Sequence, residues 1–158
     1  MADNHSSCDV AIVGGGLAGL TLALQLNQSD PDLDIVIVER NTFPPPLAAH
    51  KVGESMVEIG AHYLSDTLGL KALLESTQLR KFGLRFFFDG GNHSDLAEAD
   101  ELGASTFLPV VSYQLDRGRL EGDLADIVQQ RGIRIYQGCA VSYTHLTLPT
   151  NIIRWRWG

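Results

Sequence analysis

Three glycines at 14, 16 and 19, within Gly14-Gly15-Gly16-Leu17-Ala18-Gly19, have the G-x-G-x-x-G spacing that lets a backbone approach a diphosphate. Each has a separate physical task. Gly14 permits a tight turn, Gly16 leaves room for the phosphates, and Gly19 lets a helix pack closely on the preceding strand. A helix opening at Leu17 and Ala18 then offers N–H groups and a partial positive charge to the anion. Glu39, with Arg40 after it, stands twenty residues beyond Gly19. A carboxylate there accepts hydrogen bonds from ribose hydroxyls and repels a 2′-phosphate. Loop and acid together imply a dinucleotide site. Two cations are further candidates. Lys81 is an amine within Arg80-Lys81-Phe82-Gly83-Leu84-Arg85-Phe86, suited either to a desolvated site or to an edge strand protected from aggregation. Arg117 falls in the first turn of a predicted helix, where a cation is disfavoured unless an anion lies nearby.

The elements that must position these residues are legible in the pattern. Cys8 to Val13 is a short apolar run ending in glycines, read as a buried parallel strand. Leu17 to Gln28 is a helix with Leu20 and Leu24 on one face. Ser29-Asp30-Pro31-Asp32 ends it, and Ile35 to Val38 is a second strand. This makes a right-handed β-α-β unit of about thirty residues. Asn41 to Pro46 is a stiff loop, since its three prolines lack N–H donors. Ser55 with Glu58 reads as a capping box opening a helix to about Thr67, with Met56, Ile59, Tyr63 and Leu64 buried. Phe82 to Phe88 is expected as one strand, and the acidic, Gly/Asn-rich stretch Asp89 to Glu101 as an exposed loop. Tyr113 to Asp116 is extended. A helix carrying Leu120, Leu124, Ile127 and Val128 follows, with Gly132 after its last turn, and Ile133 to Tyr136 is a third parallel strand.

On three segments the chain resembles the flavin-dependent halogenases and their relatives among the single-component aromatic monooxygenases, from about Asp9 to Cys139. The first, DVAIVGGGLAGLTLALQL with the strand end IVIVER, is similar to many FAD enzymes and implies FAD. The second, Val52-Gly53-Glu54-Ser55, resembles the family's VGE-(S/A) signature, which lies beside the flavin. The third, Asp116-Arg117-Gly118-Arg119-Leu120-Glu121, is similar to its D-R-x-x-(F/L)-(D/E) helix start, where the first Arg neutralises the FAD pyrophosphate. That role passes to Arg117, and guanidinium geometry suits phosphate oxygens. The segment around Lys81 resembles the strand bearing the active-site lysine. In that family reduced FAD reacts with O2 and halide to give hypohalous acid, and the lysine holds the electrophilic halogen against an electron-rich substrate. The resemblance therefore implies Lys81 as the catalytic residue, a small-molecule substrate and a separate flavin reductase. The family's W-x-W-x-I-P motif is not matched, because Trp155-Arg156-Trp157 is followed only by Gly158.

Composition narrows the rest. The chain has 158 residues, 44% of them apolar, enough for one domain. A formal charge of −7 without any basic patch argues against nucleic acid. No apolar run is long enough for a membrane span and no secretory signal is evident. Cys8 and Cys139 form no CxxC pair and are expected as buried residues of a reduced, cytoplasmic protein; no His/Cys cluster has metal spacing. The expected fold is α/β: a Rossmann-like FAD-binding parallel sheet with flanking helices, incomplete, its substrate domain missing. Residues 1–140 form that partial domain, and 141–158 are expected as a non-native tail. VSYTHLTLPT back-translates to a string resembling a transposase adapter of DNA library preparation, and such segments are set aside in fold reasoning. The leading reading is a fragment of a halogenase-like oxidoreductase. An aromatic hydroxylase using NAD(P)H is the alternative enzyme. A truncated cofactor-binding module without catalysis is the alternative for the 158 residues alone.

Overall fold

A computed structural model describes residues 7–47, 49, 51, 53–88, 90, 95–107 and 109–141. β1 (Val10–Val13) leads into α1 (Leu17–Ser29), and β2 (Ile35–Val38) returns parallel to β1, with Val10 opposite Ile35 and Val13 opposite Val38. After the proline loop come α2 (Glu58–His62), a π-helical turn (Tyr63–Thr67) and α3 (Lys71–Thr77). Three short strands follow: β3 (Leu79–Lys81), β4 (Arg85–Phe88) and β5 (Asp100–Gly103). Then β6 (Ser112–Gln114) feeds α4 (Arg117–Gln130), and β7 (Arg134–Tyr136) pairs parallel with β2. The main sheet is thus β1-β2-β7, the expected Rossmann-like α/β arrangement.

The core lies between this sheet and the helices. Ile12, Ile35 and Ile37 meet Leu20 and Leu24 of α1 and Leu120, Leu124 and Val128 of α4, all in one apolar cluster. The helical spacing of those leucines and valine, read from sequence, is what seats both helices on the sheet. The strands are less enclosed than a continuous apolar run suggests. Of the three strands of this sheet, β2 is the one buried along most of its length; Val13 of β1 and Tyr136 of β7 are 55% and 43% exposed. The β2 position between two partners explains the contrast.

Several expectations are corrected. Ser55 does not open a helix: α2 begins at Glu58, and Ser55 forms an isolated antiparallel bridge to Gln114. Of the face expected to be buried, Leu64 enters the core and Met56 and Tyr63 pack against it, but Ile59 is 79% exposed and Ala61 is buried as well. Phe82 to Phe88 is not one strand. Only Arg85–Phe88 of it is a strand, β4, paired with β5; Gly83, at φ +145°, separates it from β3, which ends at Lys81 and pairs with β6. The acidic stretch expected as loop ends in β5, because Glu101 and Asp100 lie opposite Phe87 and Phe88. Cys8 is half-buried and Cys139 exposed, so neither is the buried residue expected. The tail 142–158, including Trp155 and Trp157, lies outside the described residues.

Candidate functional site

The glycine loop is shaped by its own contacts. Gly14 sits at φ +105°, a backbone that side-chain-bearing residues rarely adopt, and its N–H still bonds Val38 O at 2.9 Å. This turns the chain sharply at the carboxyl end of β1. Gly19 faces the turn: a Cβ there would stand 1.9 Å from Gly14 O. Helix and strand approach that closely only because Gly19 lacks a side chain. Gly16 is the N-cap of α1, and a Cβ on it would meet only Glu121 Oε1 at 4.0 Å. Leu17 and Ala18 form the first turn of α1 beside that space. Gly15, given no role in the sequence reading, also has a reason: its Cβ would meet Glu39 Cβ at 3.0 Å.

Glu39 follows β2 and is tied to the loop. Its Oε2 accepts the Gly15 N–H at 2.6 Å, and its Oε1 accepts the Asn41 N–H and side-chain amide at 2.8 Å each. Burial works to raise its pKa, but the N–H groups of Asn41 and Gly15, the Asn41 amide and the Arg40 charge outweigh it and hold the carboxyl below its ordinary value of 4.5. The acid is an anion at neutral pH. Beside it, a cleft of about 270 Å³ lies at the carboxyl ends of β1 and β2, lined by Gly14, Val38, Glu39, Arg40 and Cys139 among others. Open α/β sheets bind ligands at that end of their strands.

The two other motifs lie on neighbouring strands. Leu115 N–H bonds Glu54 O at 2.7 Å and Met56 N–H bonds Tyr113 O at 3.0 Å, so residues 54–56 run antiparallel along β6. This places Gly53, at φ +91°, beside α4, where its Cβ would lie 3.6 Å from Arg117 Nη1. Glu54 is half-buried and Ser55 exposed; Val52 lies outside the described residues. Asp116 caps α4 by accepting the Arg119 N–H at 3.0 Å, which sets Arg117 at the first helical position. The Arg117 side chain is only 14% exposed and donates to Glu121 Oε1 from Nε at 3.0 Å and Nη2 at 2.5 Å.

Glu121 is the residue whose importance the sequence did not disclose. It is 1% exposed, accepts the Leu17 N–H at 3.3 Å, and pairs with both Arg117 and Lys51. A second, smaller cleft of about 70 Å³ joins Gly15, Gly16, Glu39, Lys51 and Glu121. The signal was a charged residue in helical register with Leu120 and Leu124, on a face that should be apolar. Lys81 stands apart from this cluster, on β3 opposite Ser112, and its Nζ reaches Met56 O at 3.2 Å. It is therefore attached to the same strand-like segment that carries Glu54 and Ser55.

These residues fit a dinucleotide such as FAD. A Cβ at Gly16 would meet little, the α1 N-terminus is joined through Glu121 to a buried guanidinium, and an ionised acid stands by the cleft where a ribose would lie. Among the described residues no group of His, Cys, Asp or Glu could hold a metal ion, and no helix is long and apolar enough to cross a membrane.

Comparison with known proteins agrees with this chemistry. The family model for FAD dependent oxidoreductases matches residues 9–106. Flavin-dependent halogenase chlA of Dictyostelium discoideum is 31% identical over 140 residues, which cover 82% of this chain and 23% of that protein. The mitochondrial L-2-hydroxyglutarate dehydrogenase of the same organism is 36% identical over 77 residues, 48% of this chain and 17% of its own length. Among solved structures, the flavin-dependent halogenase CmlS superposes with a TM-score of 0.61 at 23% identity, over 85% of this chain and 23% of that one.

Proposed function

This chain belongs to the FAD-dependent oxidoreductase family and its cofactor is FAD, and from that premise we propose that it is the cofactor-binding part of a flavin-dependent halogenase. The reaction would consume reduced FAD, O2 and halide and act on an electron-rich aromatic small molecule. The observation that carries this reading is Lys81, an amine anchored to Met56 O on the β3–β6 layer that also bears Glu54, Ser55 and the entry to Arg117. The 31% identity to chlA, spread over 82% of the chain, supports the same choice.

Bound and reduced, FAD supplies the reaction with O2. The residues of this chain bind and orient it. Glu39 would accept from the adenosine ribose, and the Leu17 and Ala18 turn with Arg117 would offset the pyrophosphate charge. Gly16 would leave room for the phosphates, with Gly14 making the turn and Gly19 the close packing behind it, while Gly53, Glu54 and Ser55 would border the flavin end and Arg40 the adenosine cleft. Lys81 presents its ammonium to the electrophilic halogen, as a cation fixed by its carbonyl partner. A separate flavin reductase delivers reduced flavin, and the compartment is cytoplasmic.

The test uses the whole flavoprotein that carries this sequence. Lys81→Ala is expected to keep FAD affinity and FADH2 oxidation but to lose halogenated product. Lys81→Arg should fail likewise, since a guanidinium is neither the same donor nor the same shape. Full halogenation by Lys81→Ala would refute the assignment. A hydroxylated product from the wild type, with NAD(P)H as direct reductant, would move the enzyme to the aromatic hydroxylases.

A further inference from the structure

Glu121 is almost wholly buried, which is costly for a carboxylate unless its charge is paired. Its position explains the pairing. It lies one turn after Arg117 on α4, so the guanidinium folds back onto Oε1. Packing of α1 on α4 brings the same oxygen within 3.3 Å of Leu17 N, at the helix end. Lys51, from beyond the proline loop, binds Oε2. One cation would neutralise the carboxylate. Two leave the cluster with a net positive charge beside the α1 N-terminus, which is itself partly positive. The second cation is also the accessible one: the Lys51 side chain is 40% exposed, against 14% for Arg117. Lys51 lines the cleft shared with Gly15, Gly16 and Glu39, as well as a wider one of about 890 Å³ along Pro44 to Pro46.

We propose that Glu121 is a positioning residue of the cofactor site, holding Arg117 and Lys51 together at the α1 N-terminus, and that Lys51 thereby serves as a second cation for the cofactor's pyrophosphate. The inference rests on the FAD reading. Two cations on the two oxygens of one carboxylate would repel each other and separate without it. The shared carboxylate cancels one charge, fixes both side chains and leaves the other charge for an incoming anion. The planar fork of Arg117 and the point charge of Lys51 complement each other on a diphosphate.

The experiment titrates the 158-residue chain with ADP and with adenosine, by calorimetry, at low and at physiological salt. Wild type should bind ADP more tightly than adenosine. Lys51→Met should weaken ADP about fivefold, the scale of one partly screened charge-assisted contact, and leave adenosine unchanged. Raising the salt should shrink that difference, and Lys51→Arg should restore most of the affinity. Glu121→Gln, matched in shape, should also weaken ADP, because a neutral amide cannot hold both cations. Should that variant fold poorly, Lys51→Met and its salt dependence decide the matter. Unchanged ADP affinity in Lys51→Met would overturn the inference alone. Tighter ADP binding by Glu121→Gln would overturn it too, showing the carboxylate as a competitor for the phosphate's place. Wild type that binds neither ligand would overturn the cofactor reading with it.

Discussion

Gly16 and Gly19 belong to one loop, yet their missing side chains matter for different reasons. A Cβ at 19 collides with Gly14 O, whereas at 16 it enters open space near Glu121. Gly19→Ala is therefore expected to destabilise the chain by about 1–3 kcal/mol in denaturant unfolding, the usual cost of overpacking. Gly16→Val should fold with near-normal stability and lose FAD, because its branched side chain fills the phosphate space. Equal loss of stability in both variants would contradict this division. Glu39 yields a second prediction. Its folded pKa is lowered, so its contribution to stability is present above the unfolded value of 4.5 and is lost as pH falls through the lower folded value. Glu39→Gln should cost about 0.5–1 kcal/mol at pH 7, allowing for partial exposure, and progressively less as pH falls below 4.5 through the lowered folded value. Glu39→Ala in the whole flavoprotein should weaken FAD by about 1–3 kcal/mol, read from flavin fluorescence.

At the level of elements, α4 depends on its first turn. Asp116 accepts the Arg119 N–H on its side chain at 3.0 Å and the Leu120 N–H on its carbonyl at 2.9 Å; its own N–H goes to Gln78 Oε1 at 2.7 Å. Asp116→Ala should lower stability by about 1 kcal/mol and loosen Arg117, which flavin titration would register as weaker binding. What made α4 and α1 legible was periodicity: their leucines repeat at helical spacing, and a parallel sheet awaits them. The β-α-β unit and its phosphate loop were legible for the same reason, since glycine positions and strand runs are local signals. Ser55 shows the limit. Its capping-box pattern is local, but the bridge to Gln114 is a contact across fifty-nine residues that no local pattern encodes. α3 went unread because seven residues carry too little periodicity, and only Leu74 among them is buried. Lys51 was missed because its partner Glu121 lies seventy residues away.

The molecule as a whole divides into a well-buried sheet-and-helix body and a thinly packed hairpin. β4 and β5 pair only with each other, and all eight of their residues are exposed. Phe86, Phe87, Phe88 and Leu102 stand 53%, 48%, 58% and 64% exposed, on both faces of the ribbon. Two-stranded ribbons are marginal on their own, and the Arg85–Glu101 pair, being exposed, adds little. Large apolar side chains in such a setting should bind a hydrophobic dye such as ANS and promote self-association. Replacing Phe87 and Phe88 together by serine should therefore reduce dye fluorescence while shifting unfolding stability by no more than about 0.5 kcal/mol, since neither belongs to the core cluster. Leu74→Ala, at a position with no exposure, is the contrast and should cost about 2–5 kcal/mol. The two experiments share one scale. If the serine pair costs as much as the buried leucine, the hairpin is packed against the body and its aromatic residues belong to the core. If it costs nothing and the dye signal falls, the three phenylalanines form a surface, and the β3–β6 layer with Lys81 stands at the border between that surface and the cofactor-binding body.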